Sequence, residues 1–267
     1  MTRAHGARAG SIIAAALCAA VAFALPARAA AGEKITIPAT SGTPAMPAYV
    51  ARPPRSAAAP AVLVLHGCEG YRKRYGKIAD GLARHGYVAV AIDTLTPRGL
   101  RNACSDLSGS RTEAAYARAA LNWMRAQPYV DANRLALVGY SMGAIASLDL
   151  VDPWHAAAAP AGLQAAVAYY PSCRNRVAAN VNAPLQILDG DADDWTPAPP
   201  CHALVDSAQA AGKPTSITIY PGATHAFNVN APDRISGGHH LRYDPAASSD
   251  ARARTFAFLH RYLAESP

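Results

Sequence analysis

The chain has 267 residues, 51% of them hydrophobic and 16% charged. That length suits one large domain or two small ones and can bury a substantial core, and the composition excludes a disordered chain. The formal charge of +7 comes without a basic run interleaved with aromatics, so nucleic acid is not an expected partner.

The first segment is MTRAHGARAG, with Arg3 and Arg8. An apolar run, SIIAAALCAAVAFAL, and the small-residue stretch PARAAAG follow. This three-part layout reads as a secretory signal peptide over residues 1–29, with cleavage after Ala29 or Ala31. The apolar run is shorter than the roughly 20 residues of a spanning helix, so no stable membrane insertion is expected after cleavage. Leu17, before Cys18, is larger than the small residue usual at a lipoprotein site. Removal of the leader takes away Arg3, Arg8 and Arg28 and no acid, leaving 22 basic against 18 acidic residues. The expectation is an exported protein, periplasmic or secreted, whose mature domain spans residues 30–267.

Next, GEKITIPATSGTPAMPAYVARPP alternates weakly and is rich in proline, as short edge strands joined by turns are. AAAPAVLVLHG is a continuous apolar strand, and RYGKIADGLARHG has helical spacing that closes on Gly86. YVAVAID predicts a strand, GSRTEAAYARAALNWMRAQ a long amphipathic helix, NRLALVGYS a third buried strand and MGAIASLDLV a helix. LQAAVAYYP and APLQILDGD read as strands, PPCHALVDSAQAAG as a helix, KPTSITIYPGATH as the last strand and DARARTFAFLHRYLAE as the closing helix. Continuous apolar strands alternating with helices predict one α/β domain, a doubly wound, mostly parallel sheet covered on both faces. NVNAPDRISGGHHLRYDPAASS is the one irregular stretch.

Four cysteines remain after the leader: Cys68, Cys104, Cys173 and Cys201. An even number in an oxidising compartment predicts two disulfides. Three pairings are open, and the order of elements favours Cys68–Cys104 with Cys173–Cys201. No Cys/His spacing resembles a zinc site.

In such a sheet, ligands meet the carboxyl ends of the strands. Ser141 lies in LVGYSMGAIAS, where an apolar strand turns into a helix, between Gly139 and Gly143. A serine on a sharp turn needs small neighbours, because a side chain at either glycine would strike the crossing backbone. The turn also leaves the Met142 N–H at a helix N-terminus, free to stabilise an oxyanion. A serine hydroxyl needs a base, and the base needs an orienting acid; on this architecture the chain order is serine, acid, histidine. Both partners follow at strand ends. Asp189, Asp191, Asp193 and Asp194 crowd the loop after PLQILDG, and His225 lies in PGATHAFN after SITIY. These residues read as a nucleophile, a base and a choice of four acids.

The set LVLHGCEG, GYSMGA, LDGDADDWTP and PGATHAF, within residues 61–263, resembles the dienelactone hydrolase family of α/β-hydrolases. The resemblance implies the α/β-hydrolase fold and a Gly-x-x-Asp-x-x-x-Pro frame for the acid. Gly190, Asp193 and Pro197 fit that frame, which selects Asp193. It also implies that the Cys68 backbone N–H is the second oxyanion donor, with His66 bracing the loop, and it suggests Arg98 as a substrate-binding arginine. The family's founding members are cytoplasmic and carry cysteine at the elbow, whereas this chain has Ser141 and an export signal.

The acidic loop lacks the ligand ladder of a calcium site, and His239–His240 lack metal-ligand spacing and read as a solvated loop. The expected activity is hydrolysis of a small-molecule carboxylic ester or lactone through an acyl-enzyme, with no metal or organic cofactor. The rivals are a peptidase or acyltransferase on the same triad, and a non-catalytic binding protein on the same fold. Natural substrate, acyl-chain length and oligomeric state are not written in the sequence.

Overall fold

Strands that are apolar at every position must be covered on both faces, and the computed structural model of the protein has that arrangement. It describes residues 1–2, 32–54, 57–105, 109–151, 159–176 and 181–264. The leader read from the sequence, residue 3 onward, lies outside the described residues.

Eight strands form one sheet: β1 (Glu33–Ile37), β2 (Met46–Ala51), β3 (Ala59–Leu65), β4 (Val88–Ile92), β5 (Val130–Tyr140), β6 (Leu163–Tyr169), β7 (Leu185–Gly190) and β8 (Thr215–Tyr220). Their order is β1-β2-β4-β3-β5-β6-β7-β8. The pairs from β4 through β8 are parallel, and β1 and β2 join the sheet antiparallel. The proline-rich start of the domain therefore forms short strands at one edge, as predicted, and they run antiparallel.

Successive residues of β3 serve two cores. Leu63 and Leu65 face one side, with helices α2 (Ser110–Arg125), α3 (Met142–Val151) and α4 (Pro199–Ala210). Val62 and Val64 face the other, with α1 (Lys73–Arg84) and α5 (Pro245–Leu263). In β5 the same split sends Leu135 and Leu137 one way and Ala136 and Val138 the other. Period-two alternation is present in the packing but hidden in the sequence, because both faces bury apolar side chains.

The long irregular stretch differs from its expectation. Its middle is a hairpin of β9 (Arg234–Ser236) and β10 (His239–Leu241), turning through Gly237 and Gly238 at φ +60° and +88°. Two positive-φ residues between paired strands are the signature of a tight hairpin turn, which only glycine adopts without strain here. The two disulfides are Cys68–Cys104 and Cys173–Cys201. No helix among the described residues is long and apolar enough to cross a membrane.

Candidate active site

Strand β5 delivers Ser141 at its carboxyl end with φ 53°, in the left-handed region that a residue with a Cβ rarely adopts. Such strain costs about 1–3 kcal/mol and persists only where the surroundings enforce it. The enforcement is visible. A Cβ on Gly143 would sit 2.5 Å from the His66 carbonyl oxygen, and one on Gly139 2.5 Å from Ser147 Oγ. The helix that follows crosses the strand ends too closely for any side chain there. Two further non-glycine residues with positive φ, Tyr170 (42°) and Ala226 (57°), flank the same spot.

The structure brings Ser141, Asp193 and His225 together. Ser141 Oγ lies 3.0 Å from His225 Nε2, and His225 Nδ1 lies 2.7 Å from Asp193 Oδ2. All three are buried. With a carboxylate at Nδ1, that nitrogen carries the hydrogen and Nε2 is left as the acceptor facing the serine hydroxyl. Burial by itself pushes the Asp193 pKa up. The hydrogen bond and charge of His225, with the N–H groups of Thr196 and Trp195, outweigh that and hold it below the ordinary carboxylate value.

The other three acids of the loop are committed elsewhere. Asp191 Oδ1 accepts from the Gly222 N–H, and Asp194 meets the hairpin through His239 Nδ1 at 3.3 Å. Asp189 is fully buried, its Oδ1 accepting from the Gly190 N–H at 2.8 Å. Burial, and then the Asp193 charge, push its pKa up to about 9. The folded protein thus keeps Asp189 protonated while the unfolded chain ionises it near the ordinary value of 3.8. Stability contributed at this site therefore falls as pH rises from about 4 to about 9. Asp189→Asn is expected to raise Tm at about pH 8 by several degrees, at roughly 2–4 °C per kcal/mol. The gain should vanish near pH 4 in thermal denaturation followed by circular dichroism.

The loop after β3 closes the opposite wall. His66 is fully buried, and burial lowers its pKa to about 4, so its ring is neutral. Its Nδ1–H donates to the Gly67 carbonyl at 2.8 Å, and Nε2 accepts from the Thr94 N–H at 3.1 Å. This is the bracing role read from the sequence. Behind it lies Glu113, Oε1 3.7 Å from His66 Nδ1, its pKa raised well above the ordinary value by burial against the opposing charge of Arg98. The His66 ring is neutral, so this contact is not an ion pair. The Gly67 N–H donates to Tyr75 Oη at 2.8 Å. Among the described residues the N–H groups of Cys68 and Met142 have no protein acceptor, and the two residues pack together with Leu95.

A cleft open to solvent lies over Ser141. Cys68, Tyr140, Tyr170, Trp195 and His225 form its floor and walls, and Arg234, Ser236 and Leu241 of the hairpin close one side. Arg98, suggested as a substrate-binding arginine, is not among the described residues that line this cleft; its Nη1 is buried beside Gly109, and its charge acts on Glu113 and Tyr116. His239 and His240 belong to strand β10 of the hairpin and stay partly exposed. His239 stacks on Trp195 with ring centroids 4.6 Å apart, and His240 pairs with Asp233. Among the described residues no group of three or more His, Cys, Asp or Glu side chains has metal-holding geometry.

Three contributors escaped the sequence reading. Thr196 Oγ1 lies 3.1 Å from both Asp193 Oδ2 and His225 Nδ1 and 3.0 Å from the Tyr170 carbonyl. Its signal was the Asp-x-x-Thr spacing, since Asp193 Oδ1 accepts from the N–H groups two and three residues on. Trp195 packs on His225 at 5.1 Å, and Arg234 arrives on a hairpin whose three-residue strands are too short to read by periodicity.

A mostly parallel sheet with a strained serine at a strand–helix turn, followed in chain order by acid and histidine, defines an α/β-hydrolase. The chain belongs to the dienelactone hydrolase family, whose family model matches residues 46–263. It is 27% identical over 238 residues to the "Putative carboxymethylenebutenolidase" of Salmonella typhimurium, covering 81% of this chain and 83% of that protein. It is 26% identical over 230 residues to the "Probable 2-oxo-3-(5-oxofuran-2-ylidene)propanoate lactonase" of a Bradyrhizobium species, covering 81% of this chain and 89% of the relative. A crystal structure of a "Putative Dienelactone Hydrolase" from Klebsiella pneumoniae superposes with a TM-score of 0.72 at 23% identity, over 86% of this chain and 98% of that one.

Proposed function

We propose that the protein is an exported serine hydrolase that cleaves a small-molecule carboxylic ester or lactone through an acyl-enzyme. The observation that carries this reading is the unbroken hydrogen-bonded line from Ser141 Oγ through the His225 ring to Asp193. In the mechanism, Ser141 Oγ attacks the acyl carbon and its proton passes to His225 Nε2. Asp193 balances the imidazolium that forms. The carbonyl oxygen becomes an oxyanion that accepts from the Cys68 and Met142 N–H groups. Collapse expels the alcohol, which takes the proton back from His225, and in a lactone that alcohol stays tethered to the acyl chain. Water activated by His225 then releases the acid and restores Ser141. No step calls for a metal or an organic cofactor.

The activities named for the two relatives, a carboxymethylenebutenolidase and a lactonase, both support a lactone among the candidate substrates. Two disulfides support an oxidising compartment, and with it the leader at residues 1–29 and a mature domain over 30–267.

The full chain expressed for export in a bacterium is expected to yield a mature protein that begins at Ala30 or Gly32. That protein should hydrolyse p-nitrophenyl acetate, and a fluorophosphonate should label the peptide containing Ser141, as read by mass spectrometry. No hydrolysis and no label would favour a binding protein on this fold. Cleavage of peptides in preference to esters would favour the peptidase reading.

A further inference from the structure

An oxyanion donor works only while its N–H stays aimed, and Cys68 sits in a loop without regular secondary structure. Part of its fixation is local. The carbonyl of Gly67, which shares a peptide plane with the Cys68 N–H, accepts from His66 Nδ1 at 2.8 Å and from the Gly70 N–H at 3.0 Å. The rest comes from one distant segment. The Cys68 carbonyl accepts from the Ala103 N–H at 2.8 Å, and the Cys68 sulfur is bonded to Cys104, 36 residues away in sequence. Because Cα is tetrahedral, fixing the side chain and the carbonyl carbon fixes where the nitrogen lies. The pinned Gly67 carbonyl then fixes the plane in which the N–H points.

The segment that supplies both anchors is itself part of the site. Asn102 and Cys104 line the cleft, and Asn102 Oδ1 accepts from the Cys104 N–H at 2.7 Å. Cys104 and Trp195 both pack against the small cluster of Cys68, Leu95 and Met142, which includes the second oxyanion donor. The other disulfide, Cys173–Cys201, lies apart; neither of its residues lines the cleft.

We infer that Cys104 is a positioning residue for the reaction: its bond to Cys68 holds the Cys68 N–H on the developing oxyanion, so that turnover depends on this disulfide. The inference rests on the reading of Cys68 as an oxyanion donor. Removing a donor outright costs about 10²–10³ in kcat, so losing only its aim should cost roughly 10- to 100-fold. Acylation and deacylation both use the donor, so KM should stay within about twofold while kcat falls.

The test uses exported, processed full-length chain in three versions besides wild type: Cys104→Ala, the pair Cys68→Ala with Cys104→Ala, and the pair Cys173→Ala with Cys201→Ala. On p-nitrophenyl acetate, both versions lacking the Cys68–Cys104 bond should show the kcat loss. Their affinity for phenylboronic acid, whose Ser141 adduct places an oxygen on the oxyanion donors, should fall by a similar factor. The version lacking only Cys173–Cys201 should keep its kcat even where its Tm drops. If the Cys104 versions fail to fold, the third version still serves, since Cys68–Cys104 is its only disulfide. Reduction by a phosphine, which leaves two thiols and the phosphine oxide with oxygen and protons from water, should lower kcat. Reoxidation by oxidised glutathione should restore it. Unchanged kcat and boronate affinity after loss of the bond would overturn the inference while leaving the triad standing. A wild type that takes no fluorophosphonate label would instead overturn the triad reading beneath it.

Discussion

Ser141→Ala is expected to lower kcat on p-nitrophenyl acetate by about 10⁴- to 10⁶-fold and to abolish fluorophosphonate labelling, with the circular dichroism spectrum unchanged. The size of the effect follows from what remains. Alanine leaves the strained turn and the two backbone donors in place, so the residual rate is that of an oxyanion site without a nucleophile. No thiol can stand in for the lost hydroxyl, because the cysteine nearest the cleft floor, Cys68, is bonded to Cys104. Steady-state rates and intact-mass analysis of the mutant check the prediction, and full activity would place the nucleophile elsewhere.

Asp193→Asn should lower kcat by about 10⁴-fold, whereas Asp194→Asn should change it by less than roughly threefold. A carboxylate at 2.7 Å holds the hydrogen on His225 Nδ1 and leaves Nε2 free to take the serine proton. An asparagine that turns its amide NH₂ toward Nδ1 selects the other tautomer, in which Nε2 carries the hydrogen and cannot act as a base. Asp194 is half-exposed and, among the described residues, meets the hairpin through His239 and the His240 N–H. Its loss should disturb Trp195 stacking before it disturbs the triad. Because the Asp193 pKa lies below the ordinary carboxylate value, activity lost on mild acidification cannot be assigned to protonation of Asp193. Rates of the two mutants measured side by side at a single pH would decide which acid belongs to the triad.

Much of this site could be read from residue order. Gly139-x-Ser141-x-Gly143 between an apolar strand and a helix specifies a turn that only small flanking residues allow, and the structure supplies the reason in the carbonyl of His66 and the hydroxyl of Ser147. His225 was legible because it is the histidine in the exit loop of the last strand. The acid was different. Four aspartates within six residues satisfy any rule based on strand ends, and only the Gly190–Asp193–Pro197 frame of the family separated them. Arg98 was suggested only by a loose family offset after β4, and the guanidinium that follows the 3-10 turn Thr96–Arg98 lies beside Gly109, away from the described residues that line the cleft.

Taken alone, the sequence determined most of the strands and helices and their mostly parallel order, and it singled out Ser141 and His225 as candidate nucleophile and base. Those are consequences of local patterning and of chain order, which hydrophobic burial and a right-handed crossover rule translate almost directly into a sheet. Tertiary structure alone decided how the four aspartates of one loop divide among their partners, that the Arg98 guanidinium lies beside Gly109, and that a hairpin of two three-residue strands closes the cleft. Each of these depends on the distance between side chains far apart in sequence, a quantity set by the packing of two cores on one twisted sheet and carried by no single segment of the chain.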